Sequence, residues 1–312
     1  MLLEELHAEA LARLRAAHEV RLAADESDAF EIARGGDVAA ILTRGKRRIS
    51  AELIAAAGPS LRAVVRCGAG LDTVDAGAAR EYGVPVVYAP GMNTAATAEH
   101  ALLLILAASR GLIGLDRAVR SGDWSTRDTY AGDELRGRVL GVVGLGAIGT
   151  RVAELATAFG MRVIYWSRSS EDERFERQDF ESTLRQADVL TLHVALTDQT
   201  RGMIGARELA MMPSSAVLVN TARGALVDQA AVAEALKRGT LRAYAADVMA
   251  VQPPAADEPL LASAHTTLTP HVAALTGAIF REVCCFAVDN ALAVLAGYEP
   301  DPRSILTEQR DS

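Results

Sequence analysis

The stretch VLGVVGLGAIG at residues 139–149 decides the fold. It starts as a β-branched apolar run, and its last three glycines form a G-x-G-x-x-G motif directly before a helical pattern at residues 151–159. In such a motif the first glycine permits a tight turn, the second lets the backbone approach a pyrophosphate, and the third lets helix and strand pack closely. The turn predicts a dinucleotide site, and glycines that serve the turn alone are the alternative. The predicted contacts are Gly144, Gly146, Ala147, Ile148 and Gly149.

On both sides of this turn, short apolar runs alternate with helical patterns, which is typical of parallel strands joined by helical crossovers. Six strands are predicted in the larger series, at residues 139–143, 162–166, 189–193, 216–220, 243–247 and 266–268. Three more, at residues 38–42, 63–67 and 84–87, form a smaller unit. The sequence therefore predicts an α/β fold in which a doubly wound parallel (Rossmann) sheet accompanies a smaller α/β domain.

The helix predicted at residues 97–110 is apolar on nearly every face, so we place the crossing between the two domains there. A further helical pattern runs from His271 to Gly297, and we expect it to return to the first domain. The predicted domains are residues 1–95 with 273–312, and residues 96–272.

Composition limits the classes of function. At about 150 residues per domain, 312 residues allow two domains, and 50% hydrophobic residues are enough for two cores. A formal charge of −8 disfavours nucleic acid and anionic membranes as partners. No apolar stretch approaches the roughly 20 residues of a membrane span, and three cysteines supply neither a disulfide framework nor a metal site. We expect a cytoplasmic protein that acts on a small molecule.

The second strand of the larger series ends in Ser167-Arg168-Ser169, about 20 residues after the glycines. An NAD site carries an acidic residue here for the ribose 2'-hydroxyl. Ser167 adds no negative charge, and the Arg168 guanidinium can pair with a 2'-phosphate, so the sequence favours NADP over NAD. In the alternative, Arg168 is only solvated and Glu171 or Asp172 takes the acidic role.

Several separate segments resemble the D-isomer-specific 2-hydroxyacid dehydrogenase family. The matching segments lie at residues 66–72, 93–100, 143–161, 219–224, 247–248 and 269–271, within a resemblance that spans residues 38–296. The resemblance implies a nucleotide domain inserted into a flavodoxin-like substrate domain built from both chain ends, with substrate in the cleft. It also implies a homodimer joined through the nucleotide domains, to which the apolar run at residues 101–108 would contribute.

The same resemblance implies the roles of individual residues. Arg223 would bind the substrate carboxylate and polarise the carbonyl, and His271 would donate the proton. Their alternatives are a surface ion pair and a capped loop histidine. The remaining implied substrate contacts are Ala69, Gly70, Asn93 and Arg44, the last of which is otherwise a solvated arginine. The remaining cofactor contacts are Ser169, His193, Thr221, Ala222 and Asp247. For His193 and His100 the sequence itself favours a structural, hydrogen-bonded imidazole, and only His193 is also counted as a cofactor contact.

Gln252 departs from the family pattern, which usually has a glutamate there as the partner of the histidine. An amide can orient His271 but cannot supply the charge that favours imidazolium. The Gln252-Pro253 pair is similar to that of formate dehydrogenases, so formate oxidation is the first alternative function. The second is a catalytically weak NAD(P)-sensing binding protein, because one fold can serve several functions. The prediction is an NAD(P)-dependent enzyme that reduces a small 2-oxo acid such as glyoxylate or hydroxypyruvate.

Overall fold

The computed structural model describes residues 1–306. Its helices are α1 (Ala8–Ala17), α2 (Glu26–Arg34), α3 (Ala51–Ala57), α4 (Ala76–Glu81), α5 (Thr94–Arg110), α6 (Leu112–Arg120), α7 (Thr126–Thr129), α8 (Ala147–Ala158), α9 (Phe180–Gln186), α10 (Ala206–Leu209), α11 (Gln229–Arg238), α12 (Pro259–Ala262) and α13 (Gly277–Ala296). Its strands are β1 (Ala40–Thr43), β2 (Ala63–Arg66), β3 (Val86–Val87), β4 (Val139–Val143), β5 (Arg162–Trp166), β6 (Glu176–Arg177), β7 (Val189–Leu192), β8 (Val217–Asn220), β9 (Ala243–Ala246) and β10 (Thr266–Leu268).

The contacts of the chain divide it into two compact units. The first comprises Met1–Asn93 and the segment from Leu275 onward, and the second is Thr94–Ala274. That the first unit binds the substrate and the second binds the nucleotide stays a prediction. Residues 307–312 of the predicted first domain lie outside the described residues.

The first unit is built on a three-stranded parallel sheet in the order β1-β2-β3. Alternate side chains of these strands enter two separate cores: Ile41, Val64 and Val86 face one, while Leu42, Val65 and Val87 face the other. Helix α3 begins after Ser50, whose hydroxyl accepts a hydrogen bond from the Leu53 amide and so caps the helix. Helices α1 and α13 pack together in this unit.

The second unit carries a seven-stranded parallel sheet in the order β10-β9-β8-β7-β4-β5-β6. Hydrophobic cores cover both of its faces, so the sheet is doubly wound. The prediction of six strands was wrong by one. Strand β6 consists of two exposed polar residues at the sheet edge, which carry no apolar signal.

Helix α5 lies in one core of this second unit, against α8, β8 and β9. The run at residues 101–108 supplies most of its buried face, including Leu104 and Ile105, and only Leu103 is largely exposed in it. Most of this run fills the core of its own unit, which leaves Leu103 as its one exposed large side chain. The predicted contribution of the run to a dimer contact stays a prediction.

Candidate active site

The glycine turn joins β4 to α8 at the carboxyl edge of the seven-stranded sheet. Gly144 has a φ of +95°, and a Cβ placed there would lie 2.7 Å from the His193 carbonyl oxygen. A Cβ on Gly149 would lie 2.0 Å from the Gly144 carbonyl oxygen. Both positions therefore need glycine for the turn itself.

Gly146 differs from these two glycines, because a Cβ placed on it would meet no atom within 4 Å. Gly146 is the N-cap of α8 and supplies no side-chain cap, so the first amides of a 12-residue helix face this space. Uncapped N–H groups and the helix dipole form an anion site. An open approach at this glycine fits the pyrophosphate of a dinucleotide, with Ala147 and Ile148 in the first turn of the helix.

Beyond β5, Ser167 is buried and its hydroxyl accepts a hydrogen bond from the Ser170 amide at 3.1 Å. Arg168 and Ser169 are exposed. The Arg168 guanidinium donates to the Gln199 side-chain oxygen at 2.9 Å, which holds a positive charge beside the end of β5.

The two acidic residues that the sequence offered as an alternative are each held by an arginine. Asp172 accepts from the Arg174 guanidinium at 2.6 Å, which lowers the pKa of that carboxyl. Glu171 pairs with Arg177. Each of these carboxylates is therefore already paired with a guanidinium of the protein.

His193 and Thr221 lie at the carboxyl ends of β7 and β8. The His193 ring is hydrogen-bonded to the buried Thr191 hydroxyl at 2.9 Å, and burial lowers the pKa of His193 to about 3, so its imidazole is neutral at physiological pH. The Thr221 hydroxyl is buried and has no hydrogen-bond partner among the described residues. An orphaned hydroxyl at this edge fits a polar group of a bound cofactor.

Arg223 follows β8 on a loop that Asn220 holds from both sides. The Asn220 side chain donates to the Arg223 carbonyl at 2.9 Å and accepts from the Ala222 amide at 3.0 Å. Gly224 lets this loop touch the loop after β9, since a Cβ there would lie 2.1 Å from the Met249 carbonyl carbon. Arg223 as a residue is half-buried, and one of its guanidinium nitrogens donates to the Ala222 carbonyl at 2.7 Å.

Gln252 follows β9 and His271 follows β10, and their side chains meet. The His271 Nδ1 atom lies 2.8 Å from Gln252 Oε1, while Gln252 Nε2 donates to the Met249 carbonyl at 3.1 Å. The second bond fixes which end of the amide faces the histidine. Because an amide oxygen can only accept, Nδ1 carries the proton and the exposed ring presents Nε2.

Asp247 sits at the end of β9 with 1% of its surface exposed. Its carboxylate accepts from the Val272 and Ala273 amides at 2.9 and 2.8 Å and from the Thr269 hydroxyl at 2.6 Å. These partners flank His271, which has the positive φ of +57° that is uncommon outside glycine. Asp247 therefore anchors the histidine loop, and its role as a cofactor contact stays a prediction.

The predicted substrate contacts Ala69, Gly70, Asn93 and Arg44 belong to the first unit. Gly68, beside the first two, packs under Arg66: a Cβ there would lie 2.2 Å from the guanidinium. Arg44 lies 4.4 Å above the Phe280 ring, and its backbone amide donates to Glu4 at 2.7 Å.

Sequence reasoning passed over three residues that support the loops of the second unit. They are Asn220, Gln229, whose side chain accepts from the Ala250 amide at 2.7 Å, and Thr269. Asn220 and Thr269 stand inside the matching segments, and their polar side chains at strand ends were the available signal. Among residues 1–306, no group of His, Cys, Asp and Glu side chains is placed to hold a metal, and no helix has the length and apolarity for a membrane span.

The chain is similar to known proteins of one enzyme family. Residues 102–273 match the family model described as "D-isomer specific 2-hydroxyacid dehydrogenase, NAD binding domain". A glyoxylate reductase of Aeropyrum pernix is 39% identical over 280 residues, which are 86% of this chain and 83% of that protein. A D-3-phosphoglycerate dehydrogenase of Archaeoglobus fulgidus is 42% identical over 242 residues, 76% of this chain but only 46% of the longer relative.

Among solved structures, the NADPH-dependent glyoxylate/hydroxypyruvate reductase of Sinorhizobium meliloti, in complex with NADP and malonate, superposes with a TM-score of 0.89. It is 28% identical, and the match covers 98% of this chain and 96% of that one. These relatives favour neither formate oxidation nor a nucleotide sensor. The chain therefore belongs to the D-isomer-specific 2-hydroxyacid dehydrogenases and is an NAD(P)-dependent oxidoreductase that transfers a hydride between the nicotinamide and a 2-oxo or 2-hydroxy acid.

Proposed function

We propose that this enzyme reduces a small 2-oxo acid of the glyoxylate or hydroxypyruvate type to its D-2-hydroxy acid, with NADPH preferred over NADH. The observation that carries the proposal is the arrangement of three side chains. Arg223, Gln252 and His271 follow β8, β9 and β10, which are neighbours in one parallel sheet, so all three leave the same edge. The glycine turn leaves that edge as well, and ligands of open α/β sheets bind there.

Arg223 is the proposed anchor of the substrate. Its guanidinium offers a planar fork of donors that fits a carboxylate in two-point contact, and its positive charge stabilises the negative charge that develops on the keto oxygen. The bonds from Asn220 hold the backbone on either side of it, so the fork is positioned before substrate arrives.

His271 is the proposed proton donor. With Nδ1 hydrogen-bonded to Gln252, the imidazolium directs Nε2–H outward, and this proton passes to the keto oxygen during reduction. NADPH, when bound, supplies the hydride for the carbonyl carbon. In the oxidation direction the neutral ring accepts the proton of the hydroxyl through the same atom.

The proposed preference for NADPH rests on Arg168. Its exposed guanidinium is able to pair with a 2'-phosphate, and Ser167 leaves the site without the carboxylate that would repel one. The pairing of Glu171 and Asp172 with arginines supports this choice, because both carboxylates are neutralised by cations of the protein.

A homodimer joined through the nucleotide-binding units completes the proposal. Helix α6 supports it: none of its nine residues is buried, although Leu112, Ile113 and Val119 are large and apolar. Trp124 is 68% exposed and lines a cavity of about 290 Å³ beside this helix. Exposed apolar patches of this kind are typical of protein interfaces. A cytoplasmic location stays a prediction, consistent with three buried free thiols.

One spectrophotometric panel tests the function. Glyoxylate, hydroxypyruvate, pyruvate and larger 2-oxo acids are offered with NADPH and NADH, and formate and D-2-hydroxy acids with the oxidised cofactors. We expect the highest kcat/KM for a small 2-oxo acid with NADPH, and loss of turnover in Arg223→Leu while the variant still binds NADPH. Absence of turnover with every 2-oxo acid, or faster oxidation of formate, would refute the proposal.

A further inference from the structure

His100 on α5 reaches the loop that carries His271. Its Nε2 atom lies 2.9 Å from the Thr269 hydroxyl oxygen and 3.5 Å from the buried Asp247 carboxylate. The imidazole is only 15% exposed. All four residues belong to the second unit, so a helix of the core and the loop after β10 are joined by one polar chain.

The direction of the hydrogen bonds in this chain follows from the donors available. The Thr269 hydroxyl has one proton. It donates that proton in a hydrogen bond of 2.6 Å to the Asp247 carboxylate oxygen, which can only accept. The Thr269 oxygen must then accept from His100, so His100 carries a proton on Nε2. The chain runs from imidazole to hydroxyl to carboxylate, and each group holds the next in place.

The backbone of His271 needs such support. Its φ of +57° is a left-handed conformation that is unfavourable for a residue other than glycine, so surrounding contacts must impose it. Asp247 imposes it through its backbone carbonyl, which accepts from the His271 amide at 2.8 Å, and through its carboxylate, which accepts from the next two amides. His100 restrains that carboxylate through Thr269.

The geometry points to His100 as a positioning residue for the proton donor. It touches neither substrate nor cofactor in this assignment. It acts through Thr269 and Asp247 to keep the His271 ring in its productive orientation. The inference rests on the proposed role of His271, and its test includes a measurement that does not depend on turnover.

His100→Leu removes the donor and keeps an apolar side chain of similar bulk on the helix, while His100→Gln keeps an N–H donor. We expect kcat for the best 2-oxo acid to fall about tenfold in the leucine variant, since small misplacements of a reacting group are costly. KM and the NADPH dissociation constant should stay within about twofold, and the glutamine variant should recover to within about threefold of the wild-type kcat. His265→Leu, at an exposed histidine of the same unit, is the matched control.

Hydrogen exchange measured by mass spectrometry follows the amides of His271, Val272 and Ala273 directly. In His100→Leu these amides should exchange about three- to tenfold faster, as expected when one hydrogen bond that restrains the loop is lost. Thr269→Val should give the same increase, and the double variant no more than either single one, because both substitutions break one chain. His265→Leu should leave exchange unchanged.

These readouts separate the two proposals. If the wild-type enzyme reduces no 2-oxo acid, the proposed function fails while exchange still decides whether His100 holds the loop. If His100→Leu matches His265→Leu in exchange, or if the His100 and Thr269 effects add in full, His100 is no positioning residue. A His100→Leu variant that does not fold would leave His100→Gln and Thr269→Val to decide by the same two measurements.

Discussion

Gln252 is the residue from which we predict the pH dependence of this enzyme. Its amide fixes the His271 ring at 2.8 Å without adding a negative charge. In Gln252→Glu, a carboxylate at that distance should raise the pKa of the histidine by roughly one to three units. Reduction needs the imidazolium, so kcat/KM falls as pH rises through that pKa. The falling limb of the pH profile should therefore move to higher pH in the variant, as measured with saturating NADPH.

Gln252→Ala provides the control for charge against orientation. It removes the hydrogen bond without adding a carboxylate, so kcat should drop with no upward movement of the profile. Coincident profiles of the wild type and Gln252→Glu would show that the group at position 252 does not govern the protonation of the catalytic acid.

Arg168 is the side chain on which the predicted preference for NADPH depends. Arg168→Ser removes the proposed partner of the 2'-phosphate and keeps the loop short and polar. Hydrogen bonds to charged groups are worth about 1.5–3 kcal/mol, so kcat/KM for NADPH should fall roughly 10- to 100-fold. The value for NADH should change less than about threefold. Arg207→Ser, which removes a surface guanidinium paired with Glu181, should change neither cofactor constant. Equal losses with both cofactors would contradict the assignment.

At the scale of elements, the glycine turn contains one glycine that the fold requires, Gly149, and one that faces the predicted ligand, Gly146. Gly149→Ala drives a methyl group to 2.0 Å from a backbone oxygen, and overpacking of this kind costs about 1–3 kcal/mol, so Tm should fall by several degrees. Gly146→Ala meets only open space and has an extended φ of −80°, so Tm of the cofactor-free protein should stay within about 2 °C.

Gly146→Ala, the variant expected to keep its stability, should be the one that loses affinity for NADPH. In Gly146→Ala the added methyl group occupies the space predicted for the pyrophosphate, so the NADPH dissociation constant, followed by fluorescence titration, should rise at least about tenfold. An unchanged constant in this stable variant would place the pyrophosphate elsewhere.

Elements with a periodic apolar signal are those that sequence predicts well. Strands β4, β5 and β10 have the bounds that the sequence predicts, whereas β6 has no apolar run and was missed. In the candidate site, too, some features can be predicted from the sequence and others cannot. The order of the matching segments predicts Arg223 and His271 as site residues. It does not predict the links between loops, such as Asn220 to Arg223 or Asp247 to Val272, because they join residues of non-periodic segments. Such contacts depend on strand order and register, which one sequence does not specify.

At the scale of the whole molecule, the location of the apolar surface is the feature that composition least predicts. The run at residues 101–108 is more hydrophobic than α6, and it is buried in the core of its own unit rather than exposed on the surface. Helix α6 instead exposes Leu112 and Val119 and leaves Leu115 half-buried between them, and at spacings of three and four residues these three side chains share one face. A surface of this kind is costly to leave in water, and a second copy of the chain is the occupant that the family resemblance predicts.

The double variant Leu112→Glu/Val119→Glu tests that assignment, because two buried carboxylates on each side of a symmetric contact would be strongly unfavourable. Sedimentation velocity at micromolar concentration should show a dimer for the wild type and a monomer for the variant, with little change in the far-UV circular dichroism spectrum. Leu22→Glu is the matched control, since that leucine of the first unit is 47% exposed against 50% for Leu112. It should remain dimeric. A wild-type monomer, or a double variant that still dimerises, would remove α6 from the interface, while the hydride-transfer chemistry would still be judged by the substrate panel.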